Sequence, residues 1–361
     1  MKELSIEEKI AQMFIIELQE KDITEKTIEM IKKYKIGGVL LFRRNYSSYD
    51  EMVNLVNKLK EINKENDIPL FISLDQEGGR VNRMPFEIKN LRNAGKFAEK
   101  GDLDLLRKNG NIIAKMLLQM GVNLNYAPIL DIRRSQDENH ALGNRCFGFN
   151  KDDVSKYGIE VMKEMQKEGL LSCIKHFPGH GATLKDSHFS VPVITKSIKE
   201  LEKDDMVPFE NAINEGADSI MMGHLIIKDV DRKHPASLSK DVIQKYLIEK
   251  YRFKGLIITD DLKMLAIRLR YSQKKAVKLA INAGNNMMIL GCEYSKIIKV
   301  IEYIAEEVKK GRIDQNIINQ NVEKIVYMKD KYNVNDEKIS GVNIEEINKE
   351  IEELNNMVES I

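Results

Sequence analysis

The chain has 361 residues, of which 42% are hydrophobic and 31% charged, with a formal net charge of +1. That balance excludes a protein held to nucleic acid by a basic face, and no apolar run reaches the roughly 18 residues a membrane span needs. The opening MKELSIEEKIAQMFII carries acidic residues ahead of its first apolar run and no small-residue cleavage site, so a cytoplasmic protein with neither a membrane nor a nucleic-acid partner is expected. Cys146, Cys173 and Cys292 are too few and too scattered for a disulfide framework or a tetrahedral zinc site, and read as reduced thiols.

In chain order, apolar and β-branched runs predict strands at 13–18 (MFIIEL), 37–42 (GGVLLF), 70–75 (LFISLD), 122–127 (VNLNYA), 171–176 (LSCIKH), 219–223 (SIMMG), 256–260 (LIITD) and 287–291 (MMILG). Amphipathic stretches with helical spacing lie between them: ITEKTIEMIKKYK, EMVNLVNKLKEIN, DVSKYGIEVMKEMQKEG and KKAVKLAINAG. The last two close on Gly169 and Gly284, where a helix ends most easily because glycine tolerates a left-handed backbone. Near-continuous apolar strands alternating with helices require a parallel sheet covered from outside, and eight such units close a (β/α)8 TIM barrel. A doubly wound open sheet is the competing α/β arrangement, but no G-x-G-x-x-G follows the first strand. Residues 1–335 are therefore expected to form a single barrel domain, and residues 336–361 a short C-terminal helical tail that adds no chemistry.

Barrel active sites sit on the loops after the C-terminal strand ends. There the sequence gathers Asp75, Arg145, Lys175, His176, His224 and Asp260, and the loop after the fifth strand, KHFPGHGATLKDSH, holds three of the six histidines. Pro178 and Gly179 forbid the helix that would make His176 and His180 a metal pair. Zinc held by His176, His180, Asp186 and His188 stays open as an alternative, without a spacing that presents three ligands together. In an extended D-S-H segment residues two apart point the same way, so Asp186 would accept a hydrogen bond from one ring nitrogen of His188 and leave the other for a substrate. That pair is a general acid/base dyad. Its partner is Asp260, at a strand end in GLIITDDLKM, while Asp261 is expected to turn away and cap the next helix. A carboxylate facing an acid, with Lys175 and arginines to hold hydroxyls, is the arrangement glycosidic bond cleavage needs.

The motifs LDQEGGRVNR (74–83), NRCFG (144–148), KHFPGHGATLKDSH (175–188), MMGH (221–224) and GLIITDDLKM (255–264) resemble, in order, those of glycoside hydrolase family 3, in particular its β-N-acetylhexosaminidase branch, over roughly residues 5 to 330. The resemblance implies that Asp260 is the nucleophile of a retaining mechanism and His188 the acid/base, oriented by Asp186. It also implies that Asp75, Arg83, Arg145, Lys175 and His176 bind the terminal sugar. Neither a metal nor an organic cofactor is implied, and the expected partner is a small-molecule sugar or muropeptide substrate with terminal β-linked N-acetylglucosamine. A neutral imidazole does not repel an anionic acceptor, so a phosphorylase using the same residues is a variant, and a non-catalytic sugar-binding protein is the reading from another class. Three positions depart from the pattern: Ala182 where GHGDT is usual, Cys146 in place of a common serine, and DIRRSQDEN (131–139) in place of D-V-N-x-N-P.

Overall fold

The computed structural model describes residues 4–137, 142–183 and 191–360. Eight parallel strands, β1 (Phe14–Glu17), β2 (Gly38–Leu40), β3 (Phe71–Leu74), β4 (Leu124–Asn125), β5 (Leu171–Phe177), β6 (Ser219–Met222), β7 (Leu256–Thr259) and β8 (Met288–Leu290), each fall within or overlap one of the predicted runs. Their order is β8-β1-β2-β3-β4-β5-β6-β7. A parallel bridge between Ile258 and Met287 joins the two ends, with Thr259 N–H donating to Met287 O at 3.0 Å, so the sheet closes on itself. The open doubly wound sheet is thereby excluded.

The strands are buried on both faces because helices cover the outside of the cylinder. The helix Lys151–Lys167 shows how the sequence places such a cover. Asn150 caps it by accepting from the Asp152 and Asp153 amides, and Val154, Val161, Met162 and Met165 face inward at helical spacing. Burying each of those side chains is worth about 1.5–3 kcal/mol, which far exceeds intrinsic helix propensity. Gly169 (φ 90°) and Gly284 (φ 113°) both adopt the left-handed backbone expected of them.

The tail forms the helix Ile344–Glu359, docked through Ile347, Ile351, Leu354 and Val358. Its asparagines also grip the backbone of the long loop after β3. Asn348 accepts from Lys89 N–H and donates to the Glu87 carbonyl, both at 2.7 Å, and Asn355 does the same with Arg92 and Asn90, both at 3.0 Å. The tail brings no side chain to the mouth of the barrel, yet it anchors the loop that carries Arg83. Among the described residues no helix is long and apolar enough to cross a membrane, and Cys146, Cys173 and Cys292 form no disulfide.

Candidate active site

A cavity of about 550 Å³ opens among the C-terminal strand ends, and Asp75, Arg83, Arg145, Lys175, His176 and Asp260 all line it. Six of the eight residues to which the family resemblance gives a role therefore meet in one place. The other two, Asp186 and His188, lie outside the described residues.

One side of the cavity is a chain of alternating charges. Lys175, only 2% exposed at the end of β5, donates to Asp75 Oδ1 at 2.7 Å and pairs with Glu77 Oε1 at 2.6 Å. Arg145, in the turn Gly143–Arg145, grips the same Glu77 through two parallel bonds of 2.8 Å. Burial pushes the Glu77 carboxyl up, but the Arg145 and Lys175 charges outweigh it and hold Glu77 well below the usual carboxylate range. Burial likewise disfavours the charged form of Lys175, and Asp75 and Glu77 reverse that, so the lysine stays protonated. Arg83 reaches within 3.6 Å of Asp75 Oδ2 and lies 5.5 Å from the Phe42 ring centre. Donors and acceptors on this wall are therefore fixed in place before any ligand arrives.

Breaking this chain has a calculable effect. Because the folded pKa of Glu77 lies below its ordinary value of 4.5, its stabilisation is present above that value and is lost as pH falls through the folded one. Glu77→Gln leaves Arg145 and Lys175 short of one buried countercharge and is expected to cost about 3–5 kcal/mol at pH 7. Urea unfolding checks this, and the gap to the parent should narrow as pH drops below 4.5.

The histidine loop is pinned by a carboxylate that sequence reasoning did not assign. Asp131, 0% exposed, accepts from His176 Nδ1 at 2.7 Å and from the His180 backbone N–H at 2.6 Å. Burial raises the Asp131 carboxyl, but His176 and His180 bring it below its ordinary value; as an anion it fixes the His176 proton on Nδ1 and leaves Nε2 as the other ring nitrogen. The glycines of the motif have separate tasks. Gly179 sits at φ 123°, a backbone only glycine adopts readily, and a side chain on Gly181 would collide with the Ile132 carbonyl. Close contact between the loops after β4 and β5 therefore depends on Gly181.

Two expectations need correction. His224 does not reach the cavity: it is fully buried, with Nδ1 on Ser237 Oγ at 2.8 Å and Nε2 on the Asp261 carbonyl at 3.0 Å, so it links two loops beneath the site. Asp261 does not cap the next helix, Leu265–Arg268, which has no side-chain cap. Its Oδ1 accepts instead from the Lys263 and Gly291 amides at 2.9 and 3.0 Å, tying the loops after β7 and β8 together. Burial pushes the Asp261 carboxyl up to about 6. Asp260 accepts at Oδ1 from the Asp261 N–H at 2.8 Å, and both aspartates line the cavity, so Asp261 does not turn away from it as expected.

Glu77 and Asp131 could have been singled out, since both stand within quoted motifs. Nothing in their spacing distinguishes a buried bridging carboxylate from a surface one. Arg44 and Lys263, which also line the cavity, both pair with the buried Glu17 of β1. Among the described residues no group of three histidine, cysteine or acidic side chains is placed to hold a metal ion.

The family described as Glycosyl hydrolase family 3 N terminal domain matches residues 5–328. The chain is 31% identical to a beta-hexosaminidase of Methylobacillus flagellatus over 275 residues, covering 74% of this chain and 77% of that one. It is 32% identical to a beta-hexosaminidase of Tolumonas auensis over 278 residues, with 76% and 81% covered. The solved structure of a glycoside hydrolase family 3 beta-N-acetylglucosaminidase from Paenibacillus sp. FPU-7 superposes with a TM-score of 0.91 at 28% identity, covering 98% of this chain and 68% of that chain.

Proposed function

The chain belongs to glycosyl hydrolase family 3, and we propose that it is a retaining β-N-acetylglucosaminidase that removes terminal β-linked N-acetylglucosamine, with peptidoglycan-derived fragments as its source of substrate. The observation that carries this reading is the placement of Asp260 in one cavity with Asp75, Arg83, Arg145, Lys175 and His176. Asp75, held by Lys175, accepts hydrogen bonds from the distal hydroxyls of the terminal sugar, Arg83, Arg145 and Lys175 supply donors, and His176 offers Nε2 as an acceptor. Asp260 attacks the anomeric carbon from the α face and forms a glycosyl-enzyme as the aglycone leaves. His188 gives that leaving oxygen its proton, then takes one from the incoming water, with Asp186 holding the imidazole in one tautomer. Two inversions at one carbon return the β configuration.

A histidine suits the acid role because its unperturbed pKa of about 6.5 already lies near the working pH. The same neutral imidazole tolerates an anionic acceptor, so phosphate in place of water is the second reading, favoured by the cations Arg44 and Lys263 on the cavity wall beside Asp260. Proton NMR of the first-formed product distinguishes them. The expected result is the β anomer of free N-acetylglucosamine both with and without phosphate. A sugar 1-phosphate would establish the phosphorylase, and α anomer formed first would overturn the retaining mechanism.

A further inference from the structure

We propose that the rim of the barrel between the loops after β5, β6 and β7 is a second binding site, which takes an anionic group, a pair of carboxylates, carried by the aglycone. The proposal rests on the glycosidase reading above and adds to it the charge of the departing half of the substrate. A separate cavity of about 460 Å³ lies there, lined by Val193, Ile226, Lys228, Arg232 and Arg270. Its floor is a two-stranded parallel ribbon in which Val193 pairs with Ile226 and Ile194 with Ile227, closed by Ile226 N–H to the Pro192 carbonyl at 3.0 Å. Among the described residues the walls bring only positive charge.

Those three cations have no carboxylate among the described residues, although two acidic side chains stand close by in sequence. Asp229 is spent on the Ile198 amide at 2.8 Å. Asp231 accepts from the Lys233 and His234 amides and from Ser239 Oγ. Arg232 gives its Nε to the Lys228 carbonyl at 3.2 Å, which aligns the two residues and leaves the outer guanidinium nitrogens for a ligand. The loops are also fixed to each other: Tyr271 donates to the Lys233 carbonyl at 2.7 Å and stacks on His234, which holds the neighbouring Arg270 against the β6 side. Like charges held together without a counterion repel, and a dianion that lands among them relieves that repulsion.

The rim is within reach of the sugar site. Met264 lines the first cavity and Arg270 the second, and the helical turn Leu265–Arg268 joins them. The six-residue step between them spans at most about 20 Å fully extended, and the helical turn shortens it, a distance a flexible linker covers.

The test uses two aryl β-N-acetylglucosaminides whose identical 4-hydroxyphenylacetyl leaving groups carry either diglutamate or diglutamine, each amidated at its C-terminus so that the pair differs by two carboxylates. At low salt the parent enzyme is expected to show kcat/KM about tenfold higher for the diglutamate substrate, since partly exposed ion pairs contribute modestly and most strongly at low ionic strength. That preference should vanish in 0.5 M NaCl and in the Lys228→Gln/Arg232→Gln/Arg270→Gln variant, with diglutamine turnover unchanged. Equal kcat/KM for the two substrates in the parent, or equal losses on both in the variant, would overturn the proposal. Calorimetric binding of the corresponding non-hydrolysable thioglycosides gives the same comparison without turnover. An enzyme that binds the diglutamate form more tightly but cleaves neither would keep the rim site and refute the glycosidase reading alone.

Discussion

Asp260→Ala is expected to lower turnover of an aryl β-N-acetylglucosaminide by about 10⁴-fold or more, because without the carboxylate no glycosyl-enzyme forms and only positioning and the charged wall remain. The loss should be chemical rather than structural. Asp260 is partly exposed, and the strand-end hydrogen bond it makes runs through its backbone N–H to the Met222 carbonyl at 3.1 Å, which alanine preserves. An unchanged circular dichroism spectrum and melting temperature would establish that. Azide offers a positive control, since a small anion fitting the vacated space attacks from the same side and yields an α-glycosyl azide. The adjacent carboxylate supplies the comparison: Asp261 is also only partly buried but is tied to two amides, so Asp261→Asn should disturb the β7 and β8 loops while leaving the Asp260 carboxylate in place. If Asp260→Ala kept substantial activity while Asp261→Asn lost it, the attacking group would be the neighbour.

For His188→Ala the expected signature is selectivity. Substrates with alkyl or sugar leaving groups need a proton on the departing oxygen and should slow by about 10²–10⁴-fold, whereas a dinitrophenyl glycoside, which leaves unaided, should lose little in its first step. Steady-state kcat/KM across a series of phenols of graded acidity measures this, and a steeper dependence on leaving-group acidity than in the parent is the expected result. Equal losses across the series would argue against the acid role. Asp186→Asn should move in the same direction by a smaller amount, since in the proposed dyad it only orients the imidazole and leaves the proton in place.

The barrel was legible because its signal is local. Each strand is a run of apolar residues that only a sheet covered on its outer face can bury, and the count of eight needs no distance information. The C-cap glycines Gly169 and Gly284 were readable for the same reason, since a left-handed backbone is a property of one residue. Asp75, Lys175, His176 and Asp260 were found from their positions at strand ends, which the fold turns toward one mouth. Glu77 and Asp131 escaped notice because their significance lies in whom they meet: Arg145 stands 68 residues from Glu77 along the chain, and His176 stands 45 from Asp131. His224 failed for the converse reason. It follows β6 like the others, but Ser237 and the Asp261 carbonyl claim both ring nitrogens.

Residue order alone thus determined the eight-unit cylinder, the end at which chemistry gathers, and most of the side chains there, because periodicity, strand ends and turn residues are encoded within a few positions. Tertiary structure decided which charges neutralise one another, that Asp261 binds amides instead of starting a helix, that the tail anchors the loop after β3, and that Lys228, Arg232 and Arg270 share one rim. Those outcomes depend on burial and on approach between segments tens of residues apart, and the energy of an ion pair or a buried carboxylate is set by that approach.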